Sequence, residues 1–177
     1  MNFIEYFSKQ VTKVRVVPKE QSSFMKMLGG FLTLGKKLKL TNIDKQSFMN
    51  DYTTTIGNTI YSNDMTEDSA PSSLMTHEIC HVLQFKVCGM STAYLFSPKQ
   101  RAFYESEAVQ ASLLCFPGIK TNDAWVERKV KWLMDYGCDE ATARKEILAR
   151  LDELKRGEPL TRPQVICQIL LDWKASN

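Results

Sequence analysis

The sequence predicts one α+β domain, residues 1–177, whose strands lie early and whose helices lie late. Two observations carry this. Runs rich in Val, Thr, Ile and Tyr, the residues that suit a pleated surface, occur only before residue 65. After residue 117, three segments with apolar residues at helical spacing follow one another, each opened by a capping residue and two of them closed by glycine. The chain therefore divides into a mixed part (1–68), two central helices (69–116) and a helical layer (117–177).

In the mixed part, "VTKVRVV", Val11 to Val17, alternates well enough for a strand stopped by Pro18. A helix is predicted from about Glu20, interrupted or ended by Gly29-Gly30. The basic run Gly35 to Leu40 reads as a solvated turn or strand edge. Asp51 to Asp64 reads as strand, with Gly57-Asn58 marking a bulge or tight turn. Ser69 and Ser72 are cap candidates for the next helix, and Pro71 suits its first turn. The following helix opens with a capping box, Ser97 to Gln100, with Pro98 at its first position. It should stop near Cys115, before Pro117-Gly118. The last three helices begin at the Thr121-Asn122-Asp123 cap, at Asp139 and at Thr161, and they should pack as one layer.

Composition excludes several classes. The chain is 44% hydrophobic and 24% charged, which is globular and neither disordered nor low in complexity. A net charge of +3 gives no footprint for nucleic acid. No uncharged stretch exceeds twelve residues, so no membrane span is expected. The first ten residues lack the pattern of a signal peptide. Five cysteines without a CxxC pair then point to reduced thiols in a cytoplasm-like compartment.

The chemistry concentrates in "LMTHEICHVLQFK", Leu74 to Lys86, which holds both histidines of the chain. Residues four apart stack on one helical face, so His77 and His81 can reach one ion at ~2.0–2.1 Å. Glu78 stands ~100° around the helix, outside the ligand set but near an open coordination position. This is the HExxH spacing, in which the glutamate is the general base for water. Chance gives that arrangement less than roughly once in a thousand chains of this composition. Two imidazoles on an otherwise apolar face also need partners that an ordinary core helix does not supply. Cys80, beside them, reads as a small core residue.

A catalytic zinc takes three protein ligands. With no third histidine, the carboxylates of "FYESEA" are the candidates, Glu105 and Glu107. Glu105 is favoured because Ala102, Ala108 and Ser112 around it are small and permit close helix approach, whereas Glu107 is flanked by core-like Phe103, Ala111 and Leu114. Gln84, seven residues after His77, lies on the same face and can hydrogen-bond near the site. Arg101, Tyr94, Tyr104 and Tyr136 are candidates for stabilising an oxyanion.

"HEICH" followed by a helix carrying "ESEA" resembles the gluzincin metallopeptidases, the thermolysin-like clan. The resemblance covers roughly residues 51–115 and implies a zincin-like fold, Zn2+, and hydrolysis of a peptide or protein substrate laid along an edge strand, here "TTIGNTIY". Glu105 with Ala108 fits the clan's third-ligand pattern, but Val109 stands where a carboxylate that orients a ligand is usual. More loosely, the chain is similar to small zincin-type proteins of bacteriophages. That implies an alternative role as a virion or assembly protein, with weak or no proteolysis and with other virion proteins as partners.

Overall fold

The computed structural model describes residues 1–37, 45–89, 94 and 97–177, and for 31, 32, 34–37 and 88 the backbone alone. It is mixed α+β, mostly helical, with one three-stranded sheet. The chain opens with α1 (Phe3–Gln10), an element the sequence reading left unassigned. Asn2 caps it by accepting from Glu5 N at 2.8 Å, and Phe3, Ile4 and Phe7 bury one stripe. The strand predicted over 11–17 shrinks to β1 (Arg15–Val17). Its first half is used to leave α1: Val11 N bonds Phe7 O at 3.0 Å, and Val14 N bonds the Ser8 hydroxyl at 3.0 Å.

The second helix, α2 (Ser23–Lys37), runs straight through Gly29-Gly30, contrary to expectation. The next helix, α3 (Lys45–Asn50), packs there: a Cβ at Gly29 would stand 3.0 Å from Lys45 Cγ and 3.3 Å from Phe48 Cδ1. Close approach, not chain termination, is what that glycine permits. Of the basic run, 35–37 finish α2 as helix and 38–40 lie outside the described residues. The segment predicted as strand with a bulge or turn resolves into a hairpin, β2 (Thr54–Ile56) and β3 (Thr59–Tyr61). Gly57 turns it at φ +61°, a left-handed value that glycine adopts without strain. β1 joins β3 in parallel, Val16 opposite Ile60, so the sheet order is β1-β3-β2 and β2 is an edge.

The histidine helix is α4 (Ser73–Cys88), capped by Ser72 accepting from Met75 N at 3.1 Å. Pro71 therefore precedes the cap and does not enter the first turn, and Ser69 closes a local turn by accepting from Thr66 N. The glutamate helix is α5 (Pro98–Cys115), capped by Ser97. The two pack along Ala108 and Ala111, and Ser112 fastens them by donating to Ser73 O at 2.6 Å. The C-terminal helices are α6 (Asp123–Asp135), α7 (Glu140–Arg156) and α8 (Thr161–Ser176).

These three do not make one layer. Ala102, Val109 and Leu113 of α5 share a core with Trp125, Val130 and Leu133 of α6 and with Ala143 and Ile147 of α7. Ala108, Ala111 and Cys115 share another with α1, the sheet, α4 and Ile166 and Leu170 of α8. α5 thus sits between α8 and the α6–α7 pair, because its apolar residues occupy two stripes rather than one. Cys80, Cys115, Cys138 and Cys167 are free thiols. Among the described residues no helix is long and apolar enough to cross a membrane.

Candidate metal centre

The i, i+4 spacing on α4 brings the two imidazoles edge to face, with centroids 4.8 Å apart and Nε2 atoms 3.2 Å apart. From α5, Glu105 Oε2 stands 3.3 Å from His77 Nε2 and 3.4 Å from His81 Nε2. All three side chains are buried. Ligand atoms held at ~2.0–2.1 Å in a tetrahedron are spaced ~3.3–3.4 Å from one another. The three separations match that spacing, so the donor set fits a single divalent cation. Nothing in these residues distinguishes zinc from a similar metal.

Glu78 lies beside the cluster. Its Oε2 accepts from Thr55 Oγ1 at 2.7 Å, which ties the carboxylate of α4 to the edge strand β2. Cys80 is fully buried, and burial together with nearby Glu107 pushes its thiol far up, as for an inert core residue. Burial works against charging His81. Glu105, with smaller help from Glu78 and Gln84, nonetheless lifts its pKa to about 9. Burial would raise the Glu105 carboxyl, but the two imidazoles hold it well below the usual range.

The two glutamates of "FYESEA" part company. Glu105 meets the histidines, while Glu107, the alternative third ligand, is engaged elsewhere. Two positions along a helix is ~200°, so the side chains leave on nearly opposite sides. Glu107 accepts from Arg162 of α8 at 2.7 Å and from Gln84 Nε2 at 2.9 Å. Gln84 Oε1 in turn lies 2.7 Å from His81 Nδ1.

The oxyanion candidates also separate. Tyr94 donates its hydroxyl to Glu105 Oε1, and burial and that carboxylate raise its pKa far above the ordinary phenol. Tyr136 is likewise raised by burial and by Glu105 and Glu78. Arg101 donates to the main-chain carbonyls of Tyr94 and Tyr136 and stacks on the Tyr94 ring at 5.7 Å. It acts there as a clamp on two segments. Tyr104 offers its carbonyl to Gln84 Nε2 at 2.9 Å, and its ring packs on Phe103. Residues 90–93 and 95–96, between α4 and α5, lie outside the described residues.

Several neighbours escaped sequence reasoning. Trp132 of α6 stands edge-on to His77 with centroids 5.7 Å apart and meets the Tyr136 ring at 5.2 Å. Thr55 had a signal in the Thr-rich strand just before the motif. Trp132 and Arg162 had none, because tertiary packing alone brings them in. Searches of family models, of curated proteins and of solved structures find no match for this chain.

Proposed function

We propose that the chain is a zinc-dependent peptidase of compact gluzincin type. The observation that supports it is the convergence of His77 Nε2, His81 Nε2 and Glu105 Oε2 at tetrahedral spacing with Glu78 alongside. In this reading those three atoms hold the ion. When bound, zinc supplies Lewis acidity toward a carbonyl and lowers the pKa of a ligated water from ~15.7 to about 7.

The remaining work belongs to the chain. Glu78 takes the proton of the attacking water and returns it to the leaving amine. The Thr55 hydroxyl holds one of its oxygens at 2.7 Å, which aims the other. β2 presents an outer edge on which an extended substrate can add as a strand, next to the residue that anchors the base. Negative charge developing on the substrate carbonyl needs a donor. The Tyr94 hydroxyl already donates its hydrogen bond to Glu105, so Tyr136, kept protonated by burial and by the two carboxylates, is the phenol this reading assigns.

The test is Glu78→Gln, assayed on a quenched-fluorescent peptide library. Zinc content should stay at the wild-type level by elemental analysis, while hydrolysis falls by about 10²–10⁴. A chelator should abolish wild-type hydrolysis, and added zinc should restore it. Hydrolysis that survives the substitution, or a purified chain that takes up no zinc, would make the reading wrong.

A further inference from the structure

Val109 leaves the histidines without the carboxylate that usually orients a ligand imidazole. The structure fills that role from another direction. Gln84, Glu107 and Arg162 form a hydrogen-bonded chain that ends on His81, with the half-buried Arg162 at its outer end. Gln84 is fully buried and Glu107 is 1% exposed, so water does not compete for these contacts.

The polarity of the chain is fixed from its far end. Arg162 donates to Glu107 through Nε at 3.0 Å and Nη2 at 2.7 Å. A carboxylate paired with a guanidinium is acceptor-only. Gln84 must therefore turn its amino group toward Glu107 Oε2, and the same group also meets the Tyr104 carbonyl, a second acceptor. The reverse amide orientation would set its oxygen against two acceptors, so the assignment follows from the network. Gln84 Oε1 then faces His81 Nδ1 at 2.7 Å, and that nitrogen must carry the proton. In the neutral ring, His81 Nε2 is left with its lone pair directed at His77 and Glu105.

We infer that Arg162, Glu107 and Gln84 are positioning residues that fix His81 as the Nδ1–H tautomer and so present Nε2 as a ligand. The role assigned to Nε2 rests on the metal reading above; the tautomer does not. A neutral amide stands next to His81 while the carboxylate lies one step further out, neutralised by Arg162. The amide accepts from His81 and donates to Glu107 at once. Glutamate at position 84 would oppose Glu107 directly.

Imidazole ¹⁵N spectroscopy on the wild-type chain tests this without any substitution. With zinc added, His81 should show a slowly exchanging proton on Nδ1. Without zinc, at a pH high enough to leave the ring neutral, the proton should sit on the same nitrogen. A neutral zinc-free ring that carries its single proton on Nε2 overturns the inference, and it does so whether or not zinc binds. A wild-type chain that ignores zinc but keeps the Nδ1 proton sinks the metal reading and leaves the relay standing. Where zinc binds, Gln84→Met and Arg162→Met should weaken its affinity about 10–100-fold by chelator competition. Arg162→Lys should recover part of that loss, since it restores the charge without the fork. Unchanged affinity in Gln84→Met would overturn the role.

Discussion

Two buried polar clusters flank α5, and they are built on opposite logic. Toward α7, donors are in excess: the buried Nε and Nη1 of Arg150 have no hydrogen-bond partner among the described residues. Gln110 donates to Arg150 O at 3.2 Å and to Glu153 Oε2 at 2.9 Å, and accepts from Leu160 N at 2.8 Å. Arg150 pairs with Glu153 at 3.1 Å and lays its guanidinium over the Phe103 ring. Toward α4, two imidazole nitrogens and a carboxylate oxygen crowd within 3.4 Å of one another. That cluster has a surplus of acceptors, and without a metal only protons can relieve it. The lifted pKa of His81, despite burial, expresses the same surplus. The two clusters differ in what each lacks: positive charge at the histidines, acceptors around Arg150.

The comparison breaks most sharply at the ligands. Glu105→Gln removes the charge of the cluster but little volume, and it should take zinc content from one ion per chain to background. Gln110→Leu, on the other face, should leave zinc content unchanged and cost about 1–3 kcal/mol in urea unfolding, the effect of unpairing buried groups. If both variants keep their zinc, the two clusters are alike and the distinction fails.

A second consequence is the pH dependence of binding. Ligation needs a neutral imidazole. His81 carries a proton below about pH 9 in the zinc-free protein, so binding must displace it. Apparent zinc affinity should therefore rise about tenfold per pH unit up to about pH 9 and flatten above. Chelator competition between pH 6 and 10 measures this, and a flat profile would show that the acceptor surplus is not held by a proton on His81.

What was legible in the sequence follows from how local each signal is. His77, His81 and Glu78 share two helical turns, so their placement needed only the helix period. The fold sets Glu105 against the histidines and Glu107 against Arg162, and the small residues beside Glu105 lie where α5 meets α4. The strands were harder. "VTKVRVV" alternates like a strand, yet α1 draws its first residues into a turn. Gly29-Gly30 looked like a break, whereas packing against α3 keeps the helix whole. Arg162 is 55 residues from Glu107, and no periodicity in either helix announces their pairing.

A third buried charge sharpens the comparison in the other direction. Lys19 is buried with its ammonium turned on Phe48 O, Tyr52 O at 2.7 Å and Thr54 Oγ1 at 2.9 Å, and it braces the approach to β2. Here acceptors surround a cation that the protein itself supplies, so no metal is invited. Burial still lowers its pKa to about 8, with Glu78 opposing that shift. The folded value lies below the unfolded one of about 10.5, so the unfolded chain holds more protons between them. The contribution of Lys19 to stability should then rise with pH across that window and stay constant below it. Other groups titrate nearby, His81 in the opposite sense, so the quantity to measure is the difference in unfolding free energy between wild type and Lys19→Met at several pH values. That difference should shift in favour of the wild type from about pH 8 to about pH 10.5. A difference independent of pH would mean that the three acceptors fully offset the cost of burying the ammonium, and that Lys19 is as comfortable in the fold as in water.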